Sequence, residues 1–222
     1  MPLPATNDGE GSFVEVRMGG KSGLREVLET VGLTFIVFLL ARTLVQNYIV
    51  EGHSMDPSLS DAQYLLVDRA SYARWDHNLL PRLLGADLPA APGYVLGTGP
   101  QRGDIVVFHA WDEDKDYIKR VIALPGETVA VHDNQVFING VVLKEPYIKD
   151  APYYSWPPPG TSGTVPADNI FVLGDNRNNS QDSHIKGFLP TSHLVGRAWI
   201  SYWPGSTIGP LPHATYDLPA TP

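Results

Sequence analysis

The 222-residue chain contains no cysteine. That absence excludes a thiol nucleophile, a cysteine-bound zinc site and structural disulfides. It leaves the compartment open, because an extracytoplasmic domain can do without disulfides. Dense basic blocks are missing as well: 16 Lys+Arg against 24 Asp+Glu give a net charge of −8, which argues against a nucleic-acid partner. The seven histidines show no H-E-x-x-H spacing, and no glycine-rich phosphate loop occurs, so neither metal nor nucleotide is implied as a cofactor. No internal repeat or low-complexity tract stands out.

What is present is one long apolar run followed by turn-rich sequence. Hydrophobic residues make up 43%, with 21 Gly and 20 Pro, which predicts many turns and few long helices. Residues 1–23 are small, polar and glycine-rich and read as a mobile cytoplasmic tail. Residues 24–49 read as a transmembrane signal anchor. The uncharged run Thr30-Val31-Gly32-Leu33-Thr34-Phe35-Ile36-Val37-Phe38-Leu39-Leu40-Ala41 is too short alone, since a span takes about 20 residues. Extension through Arg42 to Ile49 reaches that length, with Arg42 placed to snorkel to the headgroups. The following Arg42-Thr43-Leu44-Val45-Gln46 lacks the small residues of a cleavage site, so the segment is expected to be kept. Arg17, Lys21 and Arg25 precede it, and no Lys or Arg occurs between Arg42 and Arg69. By the positive-inside rule the N-terminus is cytoplasmic and the rest extracytoplasmic. A buried helix of a soluble protein is the other reading of this segment.

Residues 50–204 read as one mainly β, antiparallel catalytic domain. Gln63-Tyr64-Leu65-Leu66-Val67-Asp68, Ile105-Val106-Val107-Phe108 and Ile170-Phe171-Val172-Leu173 are short β-type runs bounded by turn residues. Glu127-Thr128-Val129-Ala130-Val131, Gln135-Val136-Phe137-Ile138 and Val141-Val142-Leu143 are joined by His132-Asp133-Asn134 and Asn139-Gly140, which predicts consecutive hairpins. A run over 195–203 is expected to close the sheet. Residues 71–100 and 151–166 read as loop excursions, and 205–222 as a disordered C-terminal tail.

Three stretches carry chemistry. In Val50-Glu51-Gly52-His53-Ser54-Met55-Asp56-Pro57 a serine follows a glycine that permits close backbone approach or a positive φ. Read alone, Ser54 is as well a turn serine ahead of Asp56-Pro57. In Tyr117-Ile118-Lys119-Arg120-Val121-Ile122 strand alternation sends Lys119 and Arg120 to opposite faces. Arginine does not lose its proton, whereas a desolvated lysine does, so of the two only Lys119 can serve as a base for a serine. In Gly174-Asp175-Asn176-Arg177-Asn178-Asn179-Ser180-Gln181-Asp182-Ser183-His184, Asp175 and Asp182 are expected to pair with Arg177, and Ser180 to accept from or aim the lysine. Read alone, that stretch is a polar turn.

These pieces, with Arg102-Gly103-Asp104-Ile105-Val106-Val107-Phe108 and the continuation Ala123-Leu124-Pro125-Gly126-Glu127, resemble the bacterial type I signal peptidases, which use a Ser-Lys dyad. They fall in that family's order after an N-terminal apolar segment. The resemblance implies a signal-peptidase-like antiparallel β catalytic domain preceded by one transmembrane helix. It implies Ser54 as nucleophile and Lys119 as general base. Ser180 would be the hydroxyl near the lysine, and Asp175, Arg177 and Asp182 the supporting network. It also implies signal peptides of preproteins as substrates, bound extended and cut after small residues, typically alanine. Two departures stand out. Gly52 occupies a position where some members have serine, so the oxyanion hole should rest on backbone N–H, chiefly that of Ser54. His184 stands where arginine is usual, which questions a loop salt bridge and introduces a titratable group. Candidates for lining the specificity pockets are Ile49, Val50 and the run after Asp104. The rivals are an inert membrane-anchored binding domain and a Ser-Lys autoprotease of the SOS repressor type, which would need a DNA-binding helix-turn-helix in place of the apolar segment.

Overall fold

The structure, a computed structural model, describes residues 23–76, 78–88, 92–94, 99–111 and 114–216. The tail expected over 1–23 lies outside the described residues except for Gly23. Two compact units divide at residue 40.

The described residues begin with α1 (Gly23–Leu44), a helix of 22 residues. Its described large apolar side chains are exposed, from Leu33 at 64% to Leu44 at 42%. A helix that is apolar all round and unburied suits lipid better than water. Over Arg25–Leu44 it has 20 residues, about 30 Å at 1.5 Å per residue, which is the thickness of a bilayer core. By length and composition it is long and apolar enough to cross a membrane.

The expected span to Ile49 is corrected here. The helix stops at Leu44, and Val45–Ile49 forms strand β1, paired residue for residue with β2 (Tyr64–Asp68). The reason is local. Val45, Tyr48 and Ile49 are β-branched or aromatic and favour a pleated strand, and the Arg69 N–H captures the Leu44 carbonyl at 2.9 Å.

After β2 come β3 (Arg74–Asp76), the short helix α2 (Leu79–Leu83) and β4 (Pro92–Tyr94), so the 71–100 excursion carries a small two-stranded stem. Strands β5 (Ile105–His109) and β6 (Asp116–Ala123) follow as a hairpin. A separate three-stranded sheet holds β7 (Val129–His132), β8 (Gln135–Ile138) and β9 (Val141–Val142). Its two turns, Asp133-Asn134 and Asn139-Gly140, have positive φ at both central residues, the geometry that matches strand twist. The chain then passes through β10 (Asn169–Leu173), helix α3 (Ser183–Lys186), β11 (Leu189–Pro190), β12 (Leu194–Trp203) and β13 (Gly209–Pro210). The main sheet has eight strands in the order β1-β2-β12-β5-β6-β10-β11, with β13 on β12. All its pairings are antiparallel, so the expected mainly β, antiparallel fold is found.

Two expectations change. The run over 195–203 does not close the sheet; β12 is inserted at its centre, between β2 and β5. The C-terminal segment is not a disordered tail through 216. Leu211 packs half-buried against the core, Pro212 accepts from Arg120, and Tyr216 packs on the cluster between the two sheets. The alternation of Gly and Pro with apolar residues concealed this pairing, while residues 217–222 lie outside the described residues.

Strand β5 shows why its sequence is apolar without interruption. Ile105 and Val107 pack on one side with Val50, Met55, Leu59, Leu65 and Val67. Val106 and Phe108 pack on the other with Tyr72, Val121, Ile170, Val172 and Leu189. A third cluster, with Trp156, Phe171 and Leu173, joins the main sheet to the small one. Residues 151–166 do form a loop, but Trp156 and Thr164 bridge to Val131 and Thr128 of the small sheet.

Candidate active site

Ser54 sits in a tight loop that leaves β1. Its base is fixed by the backbone pair Val50 N–H to Gln63 C=O and Ala62 N–H to Val50 C=O, both 2.8 Å. Gly52 turns the chain at φ +86° and its N–H donates to Asp61 Oδ1 at 2.7 Å. A side chain at Gly52 would be strained in that left-handed conformation. Beyond the serine, Met55 and Leu59 are 1% and 0% exposed and act as plugs under the loop, each contributing about 2 kcal/mol of burial.

Lys119 approaches from β6. Its neighbours show the expected alternation, Tyr117 and Val121 belonging to one core cluster and Ile118 to the other. Lys119 Nζ lies 2.7 Å from Ser54 Oγ and donates to the Ile118 carbonyl at 2.9 Å. The residue is 4% exposed. Burial drives its pKa down from 10.5 to about 8, against an upward pull from the Asp182 and Asp175 carboxylates. A buried amine near 8 holds a usable neutral fraction at neutral pH.

The loop 174–184 closes the site from a third side. The Asn176 N–H donates to the Ser54 carbonyl at 3.0 Å and its Nδ2 to the His53 carbonyl at 2.9 Å. Gly174 lies so close that a Cβ there would collide with the Ser54 carbonyl and the Ser180 side chain. Among the described residues the Ser54 N–H donates no hydrogen bond, so it is free to meet a developing oxyanion.

The expected pairing of Asp175 and Asp182 with Arg177 is corrected. Asp175 takes both its bonds from Arg120, Nε to Oδ1 at 2.8 Å and Nη2 to Oδ2 at 2.7 Å, with neither side chain exposed. Arg177 instead forks onto Glu145, at 2.5 and 2.6 Å, and its Nε donates to the Gly174 carbonyl at 3.0 Å. Asp182 accepts from the Gly174 N–H at 2.8 Å and faces His184 Nδ1 at 2.6 Å. A planar guanidinium seeks a carboxylate in its own plane, and the strand geometry offers Asp175 to Arg120 and Glu145 to Arg177. His184 also stacks on the Tyr154 ring at 4.0 Å, so the histidine keeps a contact with Asp182 at the position where arginine is usual. Ser180 does not bond to Lys119: its Oγ is buried, lines the same cleft and has no hydrogen-bond partner among the described residues.

The sequence reading missed Arg120 as the hub of the site, Glu145 as the partner of Arg177, and Tyr147, whose ring lies 4.2 Å from the Arg120 guanidinium. Lys144-Glu145-Pro146 carries no signal beyond a loop. The Arg120 guanidinium also donates to the Gly103 carbonyl at 2.9 Å, and Arg-Gly-Asp ahead of β5 was the only hint of that contact.

Ser54 and Lys119 open onto a cleft of about 520 Å³ lined by Tyr48, Ile49, Val50, Leu65, Val107, Asp116, Ile118 and the 178–181 loop. Ile49, Val50 and Val107 were among the expected lining residues. Among the described residues β1 is an edge strand, and β10 pairs with β6 only over residues 120–123, so no described strand pairs with Asp116–Lys119 on that side. Tyr48 links the two by donating to Asp116 Oδ2 at 2.8 Å. Burial first, and then this bond, raise the Tyr48 pKa.

Comparison with known proteins gives the family of the chain. Residues 24–203 match the family described as "Signal peptidase, peptidase S26". The chain is 39% identical to "Signal peptidase I" of Leptolyngbya laminosa over 86% of this chain and 85% of that one. It is 34% identical to "Probable signal peptidase I-1" of a Synechocystis species, over 87% and 89%. A solved signal peptidase I from Enterococcus faecalis is 35% identical over 45% of this chain and 97% of that one, with a TM-score of 0.39. The chain belongs to the signal peptidase family S26 and is a serine endopeptidase of the hydrolase class.

Proposed function

We propose that the chain is a membrane-anchored peptidase that removes N-terminal signal peptides from exported preproteins, with Ser54 as nucleophile and Lys119 as general base. The observation that carries this reading is the 2.7 Å contact between Ser54 Oγ and a lysine amine that is almost fully buried. Neutral Lys119 takes the Ser54 proton as Oγ attacks the scissile carbonyl. The Ser54 N–H holds the oxyanion, and the lysine passes the proton to the leaving amine. Water activated by the same lysine then cleaves the ester and restores both groups.

The substrate lies extended in the cleft, its backbone adding to the open edges of β1 and of Asp116–Lys119. Apolar lining from Ile49, Val50, Leu65, Val107 and Ile118 suits small side chains before the cut. Helix α1 anchors the enzyme, with the N-terminus cytoplasmic and the β unit outside. The test is cleavage of a preprotein bearing an Ala-X-Ala site by wild type, Ser54→Ala and Lys119→Ala in detergent. Product from wild type alone, with its new N-terminus directly after that site, is expected; product from Ser54→Ala would sink the assignment.

A further inference from the structure

We infer that residues 212–216, which follow β13, form a strap that positions Lys119 from behind by completing the seat of its neighbour Arg120. The strap lies outside residues 24–203, which match the family, and its role rests on the dyad reading above. A guanidinium carries five N–H donors, and at Arg120 the fifth depends on this segment. Nε and Nη2 donate to Asp175 at 2.8 and 2.7 Å, and Nη2 also reaches Ser58 Oγ at 3.4 Å. Nη1 donates to the Gly103 carbonyl at 2.9 Å and to the Pro212 carbonyl at 3.3 Å. Arg120 has no exposed surface. Without Pro212 one N–H of a buried cation loses its acceptor.

Three further contacts hold the strap in place. His213 Nδ1 faces the buried Asp104 Oδ1 at 3.3 Å, with Arg197 Nη1 3.9 Å from the same oxygen. The Ala214 carbonyl lies against Gly103, where a Cβ would collide with it. Tyr147 donates to Glu145 Oε1 at 2.9 Å, which leaves its oxygen to accept from the Tyr216 hydroxyl at 2.7 Å. The Tyr147 ring in turn covers the Arg120 guanidinium at 4.2 Å. The strap therefore meets Arg120 directly through Pro212, and again through Tyr216 and Tyr147.

Lys119 is the adjacent residue of β6. The Asp182 and Asp175 carboxylates act on it, beside the Ser54 hydroxyl and the Tyr117 ring. Around Arg120 stand Asp175, Tyr147 and Tyr216. With the strap gone, water reaches the guanidinium and weakens its neutralisation of Asp175. That carboxylate then pulls harder on the lysine ammonium, and the base keeps its proton to higher pH.

The test compares the full-length protein with chains ended after Leu211 and after Tyr216. Each is given a soluble Ala-X-Ala peptide in detergent, and folding is followed by circular dichroism. Ending after Leu211 keeps β13 and is expected to raise the pH midpoint of kcat by about one unit. At pH 7 that lowers kcat about tenfold, with KM little changed and kcat recovering well above the midpoint. Ending after Tyr216 should change neither. A chain ended after Leu211 that melts earlier but keeps the full-length midpoint would show a merely stabilising strap and overturn the inference. The same loss on ending after Tyr216 would assign the effect to residues 217–222 and overturn it too. If the shorter chain does not fold, full-length Tyr216→Phe takes its place, with kcat at pH 7 expected about threefold lower and the midpoint raised. An unmoved midpoint there counts against the strap. Ser54→Ala separates the two readings. Cleavage by that variant removes the dyad and the strap's role with it, whereas its inactivity beside an unmoved midpoint in the shortened chain removes the strap alone.

Discussion

Arg120 and Asp175 form a two-point ion pair with no exposed surface on either side chain. Through Arg120 the pair also reaches the Gly103 and Pro212 carbonyls and Ser58 Oγ, at 2.9, 3.3 and 3.4 Å. Four chain segments thus meet one residue away from Lys119. Removing one member strands the other charge in the interior, which costs about 3–5 kcal/mol. Asp175→Ala is expected to lose that much in urea unfolding and most of its turnover. A change under about 1 kcal/mol, the range of an exposed pair, would show that the network does not hold the site.

The lysine dictates the pH dependence. Folding lowers its pKa to about 8, so below that value the base is mostly protonated and kcat/KM should rise about tenfold per pH unit, levelling above pH 8. Stability follows the same linkage with its own sign. The folded state disfavours the proton, so the burial penalty is complete below pH 8 and is relieved as pH rises towards 10.5. Lys119→Met should therefore be more stable than wild type at pH 7, by up to about 3 kcal/mol, with the gain shrinking between pH 8 and 10.5. Thermal unfolding across that range checks it, and a gain that grows with pH would contradict it.

Gly174 tests how tightly the loop holds the serine. A Cβ there meets the Ser54 carbonyl and Ser180 at sub-contact distance. A shift of about 1 Å in a nucleophile costs roughly 100-fold in rate. Gly174→Ala should show that fall in kcat, whereas Gly205→Ala, with open space around its Cβ site and no left-handed backbone, should leave kcat near wild type.

Tyr48 and Asp116 tie the two sides of the cleft together at 2.8 Å, and His109 Nδ1 sits 2.6 Å from the other Asp116 oxygen. Loss of one such bond is worth about 1 kcal/mol. Tyr48→Phe is expected to loosen the far end of the cleft. It should change KM and the tolerance for larger residues upstream of the cut, with kcat on an alanine substrate little affected. An unchanged preference across a peptide panel would remove this clamp from the account.

Much of this was legible in the sequence. Ser54 alone read as well as a turn serine; the order of the four stretches and their resemblance to a family singled it out with Lys119, and the folded chain brings the two into contact. The hairpin turns were legible because Asp133-Asn134 and Asn139-Gly140 tolerate positive φ. The partners of Arg177 and Asp175 were not. Local sequence offered the nearest opposite charges, but Arg120 and Glu145 lie 55 and 32 positions away from the residues they bond, and only tertiary register sets them there. The end of α1 was misplaced because Val45 and Ile49 are as apolar as the residues before them. Hydropathy cannot distinguish a membrane helix from an edge strand that continues it. The C-terminal segment failed for the opposite reason: proline-rich sequence reads as tail, although Leu211 and Tyr216, partly buried, pack against the core.

The central claim is that Lys119 activates Ser54 for acyl transfer. The most direct measurement mixes the protein with an activated ester of an Ala-X-Ala peptide and follows acylation by mass spectrometry. An acyl group on Ser54 is expected, formed at a rate that rises with pH through about 8, with no acylation in Lys119→Ala. An acyl group on any other residue, or the same rate without Lys119, would contradict it.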